Sequence, residues 1–150
     1  MRTLSTVLIA LLALAPAAAA AEYDEVVVGR AGLPGLALTA GARSEPVVLG
    51  PRTGRPDQLW RFHPDDAGAF TTVVHPRLRG CLTAYSPAAV EVLECIGAQG
   101  QSWVEHTRPR GSFALESALH RGECLTGPRA FAAVALGPCR EDDPLQSWTR

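Results

Sequence analysis

The tripeptide Gln-x-Trp occurs three times in the chain, as Gln58-Leu59-Trp60, Gln101-Ser102-Trp103 and Gln146-Ser147-Trp148, and takes in all three tryptophans. Successive tryptophans lie 43 and 45 residues apart. Tryptophan is rare, so a glutamine fixed two places before it at a near-constant interval marks an internal repeat. A period of about 40 residues is one supersecondary unit, copied until the copies bury a shared core.

Aligned on Trp, the units run about 22–64, 65–107 and 108–150. Ala37-Leu38-Thr39 then matches Cys81-Leu82-Thr83 and Cys124-Leu125-Thr126. Val47-Val48-Leu49 matches the apolar stretches from Val90 and Val134. Phe70 and Phe113 both follow a repeat Trp by ten residues, and Pro51 stands where the later units have Cys95 and Cys139. Each unit holds about four short apolar segments, often β-branched and divided by Gly and Pro, which read as strands. Phe113 to His120 has some helix propensity, but its register against Phe70 to Val74 makes it a strand as well. Three copies of four strands predict an all-β fold of twelve strands with pseudo-threefold symmetry. A closed barrel with a hairpin cap removes the exposed edges.

Residues 1–21 read as a secretory signal peptide: Arg2, an apolar run from Val7 to Leu14, then Pro16 and alanines up to Ala21. That run is too short to span a bilayer, and no second one follows. The mature chain, residues 22–150, is expected to be a single secreted domain and a monomer, with a net charge of −2 once Arg2 is removed. That balance argues against nucleic acid as a partner. The absence of Lys and Asn reads as codon bias of a GC-rich, bacterial genome. Four cysteines in an exported chain imply disulfides. Three pairings are possible, and the matching intervals of 14 and 15 residues favour Cys81 with Cys95 and Cys124 with Cys139. Zinc would need ligands two to four residues apart, and no two cysteines are so spaced. No metal, cofactor or catalytic residue is expected. The chain lacks His-Glu-x-x-His, Gly-x-Ser-x-Gly and a glycine-rich phosphate loop, and the pairs Asp65-Asp66 and Asp142-Asp143 read as solvated turns.

Cys-Leu-x, an apolar strand into a second Cys, and Gln-x-Trp, iterated three times over nearly all of 22–150, resemble the ricin B-type β-trefoil lectins. The resemblance implies a β-trefoil in which the Trp of each motif packs in the core and its Gln hydrogen-bonds neighbouring backbone. Gln58, Trp60, Gln101, Trp103, Gln146 and Trp148 are then structural. It also implies a secreted, non-catalytic module that binds a glycan or polysaccharide. The alternative is a trefoil that has lost its sugar sites and binds a protein, as an inhibitor or accessory subunit.

That family places an Asp two residues after the first Cys, an aromatic just before the second, and often an Asn before the Gln. Here those positions hold Thr39, Thr83 and Thr126; then Leu49, Leu93 and Gly137; then Asp57, Gly100 and Leu145. Thr cannot supply a bidentate acceptor, and none of the second set can stack on a sugar ring. A different pocket is expected, best provided in the second unit by Thr83, Tyr85 and Glu91 beside Glu94. Thr39 and Asp57 in the first unit, and Thr126 in the third, are the other candidate ligand contacts. His63 and His106 occupy equivalent places, three residues after a Trp, while His75 and His120 read as loop positions.

Overall fold

The computed structural model describes residues 23–150; the expected signal peptide and its cleavage site lie outside the described residues. In chain order the strands are β1 (Val26–Val27), β2 (Gly29–Arg30), β3 (Leu33–Thr39), β4 (Val48–Pro51), β5 (Leu59–Pro64), β6 (Thr71–His75) and β7 (Gly80–Ser86). There follow β8 (Ala89–Glu94), β9 (Trp103–Thr107), β10 (Phe113–Ser117), β11 (Glu123–Thr126), β12 (Ala135–Pro138) and β13 (Trp148–Thr149). Among the described residues there is no α-helix, and hence none long and apolar enough to cross a membrane. β1 and β2 are one strand broken at Val28, which leaves twelve.

Six of these close into a barrel: β1 pairs with β5, β5 with β6, β6 with β9, β9 with β10, β10 with β13, and β13 with β2. The hairpins β3–β4, β7–β8 and β11–β12 pair onto β2, β6 and β10 and cap one end. Main-chain bonds from Val47 N to Val90 O and from Val134 N to Val47 O tie the caps together. This is a β-trefoil of three four-strand units.

The repeat supplies the core. Leu38, Leu82 and Leu125 are fully buried, as are Val47, Val90 and Val134, and Trp60, Trp103 and Trp148 fill the space between barrel and cap. Each indole Nε1–H donates to the carbonyl of the equivalent leucine, Leu38, Leu82 or Leu125, at 3.0 Å. A buried indole needs such a partner, and the threefold repetition provides it each time. Cys81 is bonded to Cys95 and Cys124 to Cys139. The first unit has no such staple.

The strand register corrects the sequence alignment by one residue at two places. Pro64 faces Thr71 as Thr107 faces Phe113, so the counterpart of Phe113 is Thr71 and not Phe70. The loop before β6 is one residue longer than the loop before β10. Ala37 faces Gly50 as Cys81 faces Leu93 and Cys124 faces Gly137. The second Cys comes two residues after that partner, so its counterpart in the first unit is Arg52 and not Pro51. By the same register, the family's stacking aromatic would fall at Gly50. Leu49 belongs to the core.

Candidate functional site

A short 3₁₀ turn precedes each Trp strand, Pro56–Gln58, Gln99–Gln101 and Pro144–Gln146, and ends on the repeat glutamine. The turn aims each side chain into its own cap hairpin. Gln58 Nε2 donates to Pro51 O at 2.7 Å and to Thr39 Oγ1 at 3.0 Å. Gln101 Nε2 donates to Glu94 O at 2.6 Å and Thr83 Oγ1 at 3.2 Å, and Gln146 Nε2 to Pro138 O at 2.9 Å and Thr126 Oγ1 at 3.2 Å. The amide oxygens accept from backbone: Thr53 and Gly54 N–H, Ile96 N–H, and Arg140 N–H.

The three threonines complete this network. Each hydroxyl donates to the carbonyl two residues back, Ala37, Cys81 or Cys124, while accepting from the glutamine. A carboxylate could accept but not donate, so Thr and Asp at this position do different work. Thr83 is 1% exposed, and its hydroxyl donates to Cys81 O and accepts from Gln101. Thr39 and Thr126 are part-buried with the same bonds already made. At the family's carboxylate positions this chain thus holds hydroxyls bonded within their own hairpins.

The remaining candidates do not converge. Tyr85 lies near the end of β7, where the register with β8 shifts between Thr83 and Ser86. Such a bulge re-aims a side chain. The ring is 48% exposed and lies over Gly100, where an added Cβ would meet Tyr85 Cδ1 at 2.8 Å. Glu91 faces Thr83 across the hairpin and also bridges to Pro46 of the first cap, and Glu94 is exposed.

Asp57 stands elsewhere, in a cleft of about 380 Å³ between the first and second units, with Ala40, Gly41, Ala42, His75, Arg77 and Leu78. His75 is no loop residue: it ends β6, is 1% exposed and meets Trp60 edge-on at 4.9 Å. It is the candidate site residue that sequence reasoning missed. The signal was its position just before a Pro-Arg turn, where strand and loop are hard to tell apart. Its Nδ1 accepts the Leu78 N–H at 3.2 Å, which puts the proton of the neutral ring on Nε2. Burial lowers its pKa, opposed by the neighbouring Asp57 main chain and carboxylate. His75 Nε2 and Asp57 Oδ1 are both buried and both lack a hydrogen bond of good geometry. Each such atom is worth about 1–3 kcal/mol of lost stability.

His63 and His106 hold equivalent strand positions with different neighbours. His63 stacks on Tyr23 at 4.2 Å, and burial together with Arg61 lowers its pKa. His106 Nε2 lies 2.6 Å from Glu116 Oε2. The Gly122 N–H, and after it His106, hold the Glu116 carboxyl below the usual range. His120 donates its N–H to Ser117 Oγ in the β10–β11 turn. Among the described residues no three His, Cys, Asp or Glu side chains are placed to hold a metal ion.

No family model and no curated protein matches the sequence. Solved structures do match its fold. A mosquitocidal holotoxin superposes with a TM-score of 0.76 at 12% identity over 87% of this chain, which spans only 17% of that toxin. The designed threefold-symmetric protein ThreeFoil gives 0.71 at 18% identity, covering 85% of this chain and 96% of that one. Polyporus squamosus lectin, bound to a human-type influenza-binding epitope, gives 0.72 at 14% identity, covering 87% of this chain and 49% of that one. At these identities the likeness is one of fold, the β-trefoil.

Proposed function

We propose that the chain is a secreted, non-catalytic binding module of the ricin B type, with residues 1–21 removed and 22–150 forming one trefoil domain that takes a carbohydrate ligand. The observation that carries this is Tyr85, an aromatic face half exposed and braced against the Gly100 backbone. A sugar stacks on such a face through its C–H side, and a braced ring loses little entropy on binding. Glu91 is the nearest expected polar contact on the paired strand. The fold neighbour Polyporus squamosus lectin supports the same reading. Applied to a glycan array and a polysaccharide pull-down, residues 22–150 are expected to retain at least one glycan. Tyr85→Ala should weaken that retention about tenfold or more, the scale of ~1.4 kcal/mol. Silence of the array and pull-down would end the carbohydrate reading.

A second reading, a protein partner, is favoured by Phe131. It is 74% exposed in the β11–β12 loop. Exposed aromatics are enriched where proteins dock. Capture of one partner protein from the extracellular medium, abolished by Phe131→Ala and indifferent to Tyr85→Ala, would favour this reading over the first.

A further inference from the structure

The three seams between units are equivalent by register, and their side chains differ beside the repeat tryptophans. Trp103 faces Ser117 and Trp148 faces Arg30 across the barrel, and Trp60 meets His75 edge-on one step beyond the Arg61–Val74 pair. Thr39, Thr83 and Thr126 lead into Gly41, Tyr85 and Pro128, and the residues before the repeat glutamines are Asp57, Gly100 and Leu145. At the second seam Tyr85 covers Gly100, and the Ser117 hydroxyl is taken up by the His120 N–H. At the third, Arg30 reaches across to the Gly127 and Pro128 carbonyls at 2.6 and 3.2 Å, and Leu145 replaces the acid. At the first, the Glu45 carboxylate lies where a Gly41 side chain would begin, and beside it Asp57 and His75 line a cleft with Oδ1 and Nε2 unpartnered.

The walls of this cleft are fixed from both sides. The Glu45 carboxylate accepts the Ala42 N–H at 2.8 Å and lies against Gly41. Arg43 crosses the seam, its guanidinium donating to Leu78 O at 2.8 and 3.0 Å and to Arg79 O at 2.9 Å. Both loops are therefore held apart at a set width. Inside stand one acceptor, Asp57 Oδ1, and one donor, the Nε2–H of the tautomer that Leu78 selects. The exposed Arg77 at the rim makes no ion pair with another described residue and adds donors. A hydroxyl group can donate to the acid while a neighbouring hydroxyl accepts from the imidazole. Leu78, Ala40 and Ala42 supply apolar lining. Some 380 Å³ lies in the range of small-ligand sites.

We propose that this first seam, between Gly41, Asp57 and His75, is a second binding site that takes the neighbouring hydroxyls of one sugar residue. It shares the ligand class of the function proposed above but not the Tyr85 platform. The test is titration of isotope-labelled residues 22–150 with methyl β-galactoside, methyl β-glucoside, methyl α-mannoside and glucuronic acid at millimolar concentration. The readouts are the His75 imidazole resonances and the Gly41 and Asp57 amides. At least one sugar should give a saturable shift there, unchanged in Tyr85→Ala. Asp57→Gly and His75→Ser should weaken it about tenfold or more, the scale of a lost hydrogen bond to a charged group. Both variants carry residues that the second seam already tolerates, Gly100 and Ser117, so they are expected to fold, and their amide spectra show whether they do. Shifts confined to the surroundings of Tyr85 would overturn this site and leave the carbohydrate reading standing. Shifts at the cleft that survive both substitutions would overturn it too. No shift anywhere, with water alone in the cleft, would overturn this site, and a silent array besides would overturn both readings.

Discussion

The first and second seams share the same strand positions and differ in three side chains. Gly41, Asp57 and His75 stand at one; Tyr85, Gly100 and Ser117 stand at the other. The small and large residues have traded sides. At the second seam the hairpin supplies bulk and the turn before Gln101 supplies none, so the space is filled and every polar atom named there is bonded. At the first the hairpin brings the Glu45 carboxylate against Gly41, and two polar atoms are left unpartnered beside a cleft. The first unit also lacks the disulfide. A repeated fold thus holds its backbone and core threefold while leaving the seams free to diverge. At the first seam the two unpartnered atoms, Asp57 Oδ1 and His75 Nε2, stand together beside one cleft.

A core shared by three units is indifferent to which seam lies above it. Trp60→Ala and Trp103→Ala should each lower the unfolding free energy by about 3–5 kcal/mol, through the cavity left and the orphaned leucine carbonyl. Equal losses in urea unfolding would show a truly shared core. A loss below ~1 kcal/mol at either site would mean that its indole is not packed as described.

Stapling separates the units next. Removing Cys81 and Cys95 together should cost about 3 kcal/mol in the chain-entropy account of a loop this short. Introducing Ala37→Cys with Arg52→Cys should add a bridge to the first unit, with a gain of at most ~3 kcal/mol. Ala37→Cys with Pro51→Cys is off by one residue and should add none. A bridge formed equally well at 51 would break the register. Smaller again is Thr83→Val. It removes the donor to Cys81 O and one acceptor of Gln101, for a loss of about 1–3 kcal/mol, with no change in glycan binding.

That register bears on what could be read without coordinates. Trp60, Trp103 and Trp148 fix the unit and the barrel because rare, large residues survive only where the core demands them. Loop length is not so constrained, and the extra residue before β6 shifted Phe70 onto Phe113 although only Phe113 is buried. The candidate site was less legible still. Thr39, Thr83 and Thr126 look like a sugar contact that has lost its acid, and only their bonds to Gln58, Gln101 and Gln146 show a network that needs a hydroxyl. Asp57 was visible as a departure from Gly100 and Leu145. Its neighbour His75 comes from the next unit, 18 residues on, and sequence spacing within one unit cannot bring the two together.

The smallest effect is the most direct probe of the first seam. Burial lowers the pKa of folded His75, against the pull of Asp57. In the unfolded chain the ring takes up its proton near the ordinary value of about 6.5. Below that pH the unfolded state binds more protons than the folded one, so stability falls with pH; above it both states are neutral and the contribution is complete. His63 acts in the same direction, and Glu116, lowered from its ordinary value, adds a loss at more acid pH. These two are untouched by His75→Ser and cancel in a comparison with the parent chain. Urea unfolding across slightly alkaline to mildly acid pH should therefore show the parent losing more stability than His75→Ser. The difference should vanish at the alkaline end, apart from a constant offset. Asp57→Gly, which removes the opposing carboxylate, should make the parent's acid sensitivity steeper. Equal slopes in parent and His75→Ser would mean that His75 titrates as freely folded as unfolded, and the first seam would then be no more confined than water.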